Sequence, residues 1–397
     1  MKFVVICVFY PPLNSSAAVQ INHLVEELAI QGNIIEVITP DSSVKKDFIL
    51  EKKKNIKIMR FRNGKLTDIS LIKRALNEFI MPYRIILTLE RNSVKLQNVD
   101  GIICWSPSIF FTPLVIYLKL IKKCKCYLIL RDIFPKWAKD LKIIKNIFIY
   151  QIFNLFFLLQ CYSSDIIGVQ SEGNKKYIPK KVFFKKNKIE VLNNWYKPRF
   201  DNLENSIDLS NSLLKNKKVF IHAGNIGLAQ GFEKLIYLAE EVKNNNDIGF
   251  LFIGRGSEFE NMQNLAKEKA INNILFHDEI DHSQMMNLYA QCSCGIVILD
   301  RRHETHNIPG KFLSYVHSGL PTFALVNPYN DLISIINKNN LGFASSNFDI
   351  KFLKEEIINL SIKIDSDPKL NTRIKKIAKD LFSVRKAANQ IIEKFNT

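Results

Sequence analysis

Val219-Phe220-Ile221-His222-Ala223-Gly224-Asn225-Ile226-Gly227-Leu228-Ala229-Gln230-Gly231 changes character in its middle. An apolar run of strand type ends in glycines, and beyond it Phe232, Leu235, Ile236 and Ala239 recur at the spacing of one helical face. Strand, tight turn and helix therefore follow one another. The glycines let the backbone turn sharply and come close to a ligand, while the unpaired N–H groups of the helix's first turn face an anion. A phosphate is the expected guest. A connection that merely needs glycine has the same signature, so the rest of the chain must decide between the two.

Outward from this stretch the same unit recurs. Toward the C-terminus come strand Gly249 to Ile253, helix Phe259 to Ala270, strand Ile274 to Phe276, helix Gln284 to Ala290, strand Gly295 to Leu299, helix Lys311 to His317 and strand Pro321 to Ala324. Toward the N-terminus, Asp201 to Lys218 is polar and rich in Asn, Ser and Lys, and reads as a linker. Before it lies another alternating series. It opens with strand Phe3 to Phe9, the turn-rich loop Tyr10 to Ser16, a helix stopped by Gly32, and strand Ile34 to Thr39. Strand Ile56 to Phe61, a helix around Leu71 to Met81, strand Gly101 to Cys104, helix Thr112 to Leu120 and strand Cys126 to Leu130 follow. A long apolar helix and strands Asp165 to Val169 and Ile189 to Leu192 complete the series. Continuous apolar strands alternating with helices require a parallel sheet covered on both faces, so the fold class is α/β with two doubly wound, Rossmann-like domains. The expected boundaries are 1–200, a linker 201–218, 219–380, and a C-terminal helix 381–397 that either closes the second domain or crosses back to the first. Ligands of such sheets bind at the carboxyl ends of the strands, which makes a cleft between two facing domains the natural site.

At 397 residues, with 47% hydrophobic and 24% charged, the chain is globular and too long for one ordinary core. Fifty-six Lys and Arg against 38 Asp and Glu give a net charge of +18. That balance favours an anionic membrane surface or phosphorylated ligands. Nucleic acid is disfavoured, because no zinc spacing, RNP-like run or basic zipper is present. The seven cysteines are an odd number and sit mostly in apolar runs, as buried free thiols in a reducing cytosol would. Cys124-Lys125-Cys126 and Cys292-Ser293-Cys294 are spaced too closely for a usual zinc pair, so no metal site is expected. Ile143 to Tyr162 is the most apolar helix, but Lys145, Asn146, Gln151, Asn154 and Gln160 argue against a membrane crossing. It is either buried on the sheet, the commoner fate of a helix between strands, or laid in a membrane interface with Lys139, Lys142 and Lys145 near headgroups.

The loops at the strand ends supply the chemistry. In the second half they carry Gly224 to Gly227, Gly254-Arg255-Gly256, Asp278-Glu279-Ile280 and Pro309-Gly310-Lys311 with Ser314. In the first half they carry Pro11 to Ser16, Trp105-Ser106-Pro107 and Arg131-Asp132-Ile133-Phe134-Pro135. A diphosphate needs more positive charge than a glycine turn and a helix dipole provide, and Arg255 and Lys311 are the cations placed to add it.

Six motifs in order give the set a resemblance. They are Tyr10-Pro11-Pro12, Arg131 to Pro135, Leu192-Asn193-Asn194-Trp195, Ala223 to Gly231, Ile253-Gly254-x-Gly256, and Pro309-x-Lys311-x-x-x-Tyr315-x-x-x-Gly319-x-Pro321. Together they resemble glycosyltransferase family 4, in particular bacterial members that build O-antigen and other surface polysaccharides. The resemblance implies a GT-B fold and a nucleotide-sugar donor bound by the C-terminal domain. It further implies an acceptor held by the N-terminal domain, retention of anomeric configuration and no required metal ion. By this resemblance the donor site comprises Gly224, Asn225, Gly227, Gln230, Gly254, Arg255, Glu279, Ile280, Pro309, Lys311 and Ser314. Ser15, Ser16, Arg131 and Asp132 are the acceptor-side candidates, and Lys311, Arg255 and Asp132 the catalytic ones. Asp132 has a structural alternative as a helix N-cap or an ion pair with Arg131.

The departures from the family pattern are equally specific. An Arg and, five positions on, a Lys often hold the donor phosphates in members of the family; here those positions are Asn225 and Gln230. The family's two glutamates fall on His306 and Ser314, with Glu304 out of register, and Ser15, Ser16 and Ala17 replace common glycines. Lys311 and Arg255 must then carry more of the phosphate charge. The resulting expectation is a transferase acting on a polyprenyl-diphosphate-linked saccharide as a peripheral protein of the cytoplasmic face of the inner membrane, with a UDP-sugar donor ahead of a GDP-sugar. The competing expectations are a GT-B nucleotide-sugar 2-epimerase and a non-catalytic GT-B partner subunit.

Overall fold

The computed structural model describes residues 1–13, 15–94, 96–140, 142–182, 185–186, 188–198, 207–227, 231–281, 284–301 and 308–396. By contacts the chain divides into two units, Met1–Trp195 with Val384–Thr397, and Tyr196–Ser383.

The first unit runs β1 (Lys2–Ile6), α1 (Ser16–Ile30), β2 (Ile34–Asp41), β3 (Phe48–Lys53), β4 (Ile56–Arg62), α2 (Leu71–Arg91), β5 (Gly101–Trp105) and α3 (Thr112–Lys122). It continues with β6 (Lys125–Leu130), α4 (Lys136–Asp140), α5 (Ile147–Ser163), β7 (Ile166–Val169), β8 (Lys181–Val182), β9 (Lys185–Lys186) and β10 (Lys188–Val191). The second unit runs β11 (Lys218–Ala223), α6 (Glu233–Glu241), β12 (Ile248–Ile253), α7 (Phe259–Glu268), β13 (Ile274–His277), α8 (Met285–Tyr289) and β14 (Cys294–Ile298). After these come α9 (Gly310–Ser318), β15 (Thr322–Leu325), α10 (Asp331–Lys338), β16 (Gly342–Ser345), α11 (Ile350–Ser366) and α12 (Leu370–Phe382). Then α13 (Val384–Glu393) returns to the first unit.

The first sheet has the order β10-β7-β6-β5-β1-β2-β4-β3, parallel except for β3, which pairs antiparallel with β4 at one edge. Alternate residues of each strand feed opposite cores. Val4, Ile6, Ile102, Cys104 and Leu128 pack under α2, α3 and α5, whereas Phe3, Val5, Ile103, Tyr127 and Ile129 pack under α1 and α13. Gly101 is required on that second side, because a Cβ there would lie 2.2 Å from the Phe395 ring. The second sheet, β13-β12-β11-β14-β15-β16, is entirely parallel and is covered in the same way by α8, α9, α10 and α12 on one face and by α6, α7 and α11 on the other.

Several expectations need correction. The helix expected to stop near Met81 continues through Pro82 to Arg91, because its far half buries Ile85 and Leu89 and the burial outweighs one lost backbone bond. The apolar helix starts at Ile147, where Asn146 caps the N–H groups of Phe148 and Ile149, and it is buried only through residues such as Phe157, Gln160 and Cys161. Its other face is exposed. The C-terminal helix expected over 381–397 runs Val384–Glu393, separated from the preceding helix by Ser383, whose extended backbone bridges to Tyr196. Of the stretch read as a linker, the described part is anchored: Ile207, Leu209 and Leu214 are buried in the second unit, and Gln291 bonds the backbone of both Ile207 and Leu209. All seven cysteines are unpaired and six are buried. No helix among the described residues is long and apolar enough to cross a membrane.

Candidate functional site

From β11 the chain steps one way in the sheet to β12 and β13, then comes back to the other side of β11 with β14 and moves outward to β15 and β16. The carboxyl end of β11 is therefore the topological switch point, where the flanking connections diverge and leave a crevice. Gly224, at φ +131, is the first residue past that end.

The turn after β11 is stitched to the turn after β12. The Gly224 N–H donates to the Ile253 carbonyl at 2.8 Å, the Ile226 N–H to the Arg255 carbonyl at 2.9 Å, and the Glu258 N–H to the Ile226 carbonyl at 3.1 Å. The approach is so close that only glycine fits on the β12 side. A Cβ on Gly254 would lie 1.9 Å from the Gly224 carbonyl oxygen, and one on Gly256 would lie 2.2 Å from that of Ile226. Both glycines also have positive φ, +147 and +154. The Gly-x-Gly spacing is thus the steric condition for the two turns to share one wall.

The Pro-x-Lys-x-x-x-Tyr motif supplies the other wall. Pro309 precedes α9, Gly319 ends it at φ +86, and the spacing of four puts Lys311 and Tyr315 on the same helical face. That face meets the last two residues of β11. The Lys311 Nζ lies 2.9 Å from His222 Nε2, and the Ala223 N–H donates to the Tyr315 hydroxyl at 3.1 Å. Tyr315 fits there because Gly295 of β14 has no side chain; a Cβ would lie 2.2 Å from the ring. The Lys311 ammonium consequently sits beneath the Gly224 turn, 3.4 Å from where a Cβ on that glycine would be.

Burial pushes the Lys311 amine down to about 7. Burial first, and the Lys311 charge second, hold His222 well below the ordinary imidazole range. The imidazole is therefore neutral and accepts from the ammonium through Nε2, which places its own proton on Nδ1. The pair holds one mobile positive charge at the mouth of a glycine turn. An arriving phosphate oxygen would stabilise the protonated lysine.

The remaining second-unit candidates are distributed around this centre. Arg255 and Glu279 form an exposed ion pair at 2.9 Å, across the ends of β12 and β13. Asn225 is exposed, Gly227 is buried and Ile280 is half-buried against the core under α8 and α9. Ser314 is buried and turns its hydroxyl back to the Gly310 carbonyl at 3.4 Å, so it faces its own helix. Gln230, Glu304 and His306 lie outside the described residues. Among the described residues no three His, Cys, Asp or Glu groups are placed to hold a metal ion.

In the first unit, Ser15 caps α1 by accepting from the Ala18 N–H at 3.2 Å, and Ser16 is exposed at the start of that helix. Arg131 is buried. Its guanidinium lies over Trp105 at 5.0 Å and Trp195 at 4.4 Å and donates to the Leu192 carbonyl at 3.3 Å. This explains Leu192-Asn193-Asn194-Trp195 as part of a clamp that holds the ends of β5, β6 and β10 together. Asp132, next to the clamp, is exposed at the carboxyl end of β6; Arg131 turns its guanidinium to the indoles rather than into an ion pair with it. Sequence reasoning missed His222, whose partner is eighty-nine residues away and comes near only when α9 docks on β11.

Comparison with known proteins agrees with this geometry. Residues 206–381 match the family model described as glycosyl transferases group 1. WcaI of Escherichia coli, whose assigned role is that of a colanic acid biosynthesis glycosyl transferase, is 25% identical over 132 residues. That alignment spans 33% of this chain and 31% of WcaI, about a third of each. Among solved structures, the sucrose-phosphate synthase of Thermosynechococcus elongatus superimposes with a TM-score of 0.71 at 14% identity, over 100% of this chain and 98% of its own. HepE of Anabaena, solved with UDP and glucose, gives a TM-score of 0.61 at 13% identity, over 100% and 99%. The fold expected from the six motifs is thereby borne out: the chain has the GT-B fold, and residues 206–381 of its second unit are similar to the glycosyl transferases group 1.

Proposed function

We propose that the chain is a retaining glycosyltransferase. It moves a sugar from a nucleotide-diphosphate sugar to a polyprenyl-diphosphate-linked saccharide during assembly of a surface polysaccharide, and requires no metal ion. The observation that carries the reading is the Lys311 ammonium held by His222 beneath the Gly224 turn, at the switch point of the second sheet. As the bond between the anomeric carbon and the β-phosphate oxygen breaks, its electron pair goes to that oxygen. Negative charge grows where Lys311, the turn and the N-terminus of α9 converge. Arg255 reaches the same oxygens from the β12 turn once it leaves Glu279. In front-face transfer the departing phosphate oxygen takes the acceptor hydroxyl's proton, so no pair of carboxylates is needed.

Asp132, exposed at a strand's carboxyl end in the first unit, is the group proposed to hold the acceptor hydroxyl or the transferred sugar, with Ser15, Ser16 and Arg131 shaping that side. The UDP and glucose bound by HepE support a UDP-sugar as the first donor to try, and the role assigned to WcaI supports a surface polysaccharide product. On this reading the protein works peripherally, at the cytoplasmic face of the inner membrane. A thermal-shift panel of UDP, GDP, TDP and CMP tests the donor. A ligand at a hundred times its dissociation constant stabilises by about 2.7 kcal/mol, and no response to any of the four refutes the assignment.

A further inference from the structure

Seventeen of the twenty-six large hydrophobic side chains exposed among the described residues lie on α2, α3, α5 or the turn just before α5. That concentration makes a face, since scattered exposure would spread them over both units. Leu71 and Ile72 of α2, Leu120 of α3, and Ile147, Phe148 and Ile152 of α5 project from it, and Ile72 and Phe148 are 76% and 75% exposed. The three helices cover one side of the first sheet, and Phe79 of α2 meets Phe156 of α5 at a ring distance of 5.7 Å, so their outer surfaces are continuous.

The charges around this face are predominantly basic. Exposed Lys73, Arg84, Lys123, Lys142 and Lys145 flank it, and α5 contains no charged residue. The acidic residues of α2 are both engaged: Glu78 is buried and paired with Arg74 at 2.8 Å, and Glu90 binds the Tyr117 hydroxyl. The α3 segment has none. A second copy of the chain docked face to face would set like charges opposite one another. An anionic lipid surface complements both the apolar centre and the basic rim.

We propose that the combined outer face of α2, α3 and α5 docks the chain on an anionic bilayer, its apolar side chains at headgroup depth and its lysines and arginines against lipid phosphates. The inference rests on the lipid-linked acceptor of the proposed function only for its purpose, and its main contributor is α2, which composition alone did not single out.

The test is co-sedimentation of the full chain with phosphatidylcholine vesicles with and without phosphatidylglycerol. Expected are binding that needs phosphatidylglycerol, weakens with salt, and falls about tenfold or more in Ile72→Asp with Phe148→Asp. Both positions are exposed, so melting by circular dichroism should be unchanged. Lys73→Glu with Arg84→Glu, which leaves the apolar residues in place, should weaken binding to the phosphatidylglycerol vesicles alone. Absence of wild-type binding, or binding that survives both pairs of substitutions, overturns the proposal. Dimerisation on a sizing column that the first pair abolishes would give the face to a second copy instead. The nucleotide thermal shift, measured without vesicles, is read separately, so failure of the transferase reading leaves the vesicle result standing.

Discussion

Replacing Lys311 by Met keeps most of the side chain's length and apolar bulk and removes its charge. Lys311 makes its described contact with His222 and projects under the Gly224 turn, so the substitution should leave the fold intact. A hydrogen bond to a charged group contributes about 1.5–3 kcal/mol, which at 1.4 kcal/mol per decade weakens nucleoside diphosphate binding roughly tenfold to hundredfold. Turnover should fall further, because the charge it offsets grows toward the transition state. The effect carries a pH signature. With the free amine at about 7, binding of a diphosphate raises the lysine's pKa and takes up a proton at any pH between the free and bound values. Affinity is therefore fully developed below pH about 7 and falls by up to tenfold per unit above it, until the bound value is passed. Calorimetric titration of UDP, or of whichever nucleotide the panel selects, across that range measures both terms. Tight, pH-independent binding in the wild type, or an unchanged affinity in Lys311→Met, would refute the role assigned to this lysine.

His222→Phe fills the same buried space beside the Phe232 ring, 4.9 Å away, but removes the acceptor that fixes Lys311; kcat/KM should fall about tenfold, with the inflection near pH 7 displaced, and an unmoved pH profile would count against it. Gly254→Ala must separate the two turns, since its Cβ would lie 1.9 Å from the Gly224 carbonyl oxygen; a loss of roughly 1–3 kcal/mol should appear in denaturant melts together with weakened nucleotide binding. Glu279→Gln breaks only an exposed ion pair with Arg255, so stability should change by less than about 1 kcal/mol, and a larger fall would show that the pair is structural.

Much of the site was legible before any coordinates because several motifs are local steric statements. The Gly-x-Gly after β12 announces a backbone that nothing else can approach, and the spacing of four between Lys311 and Tyr315 announces one helical face. Other features misled for equally local reasons. The helix placed around Leu71 to Met81 continues to Arg91, because the burial of Ile85 and Leu89 that carries it past Pro82 depends on packing the sequence does not display. Ser314, placed in the donor site where the family pattern has a glutamate, bonds to its own helix. Arg131, charged and next to Asp132, reads as a ligand group until its guanidinium is seen against the touching indoles of Trp105 and Trp195, which come from segments far apart in the chain.

The amino-acid order alone determined the alternation of apolar strand and helix, and hence two parallel sheets covered on both faces, because periodicity reports burial within each element. It also determined which turns lack a Cβ. Only the folded arrangement decided which side chains complete the site and which faces stay open. Whether Lys311 meets His222, or whether the apolar surfaces of α2 and α5 lie side by side in water, depends on where elements distant in the chain pack, and that position is set by the sheet order rather than by any stretch of residues.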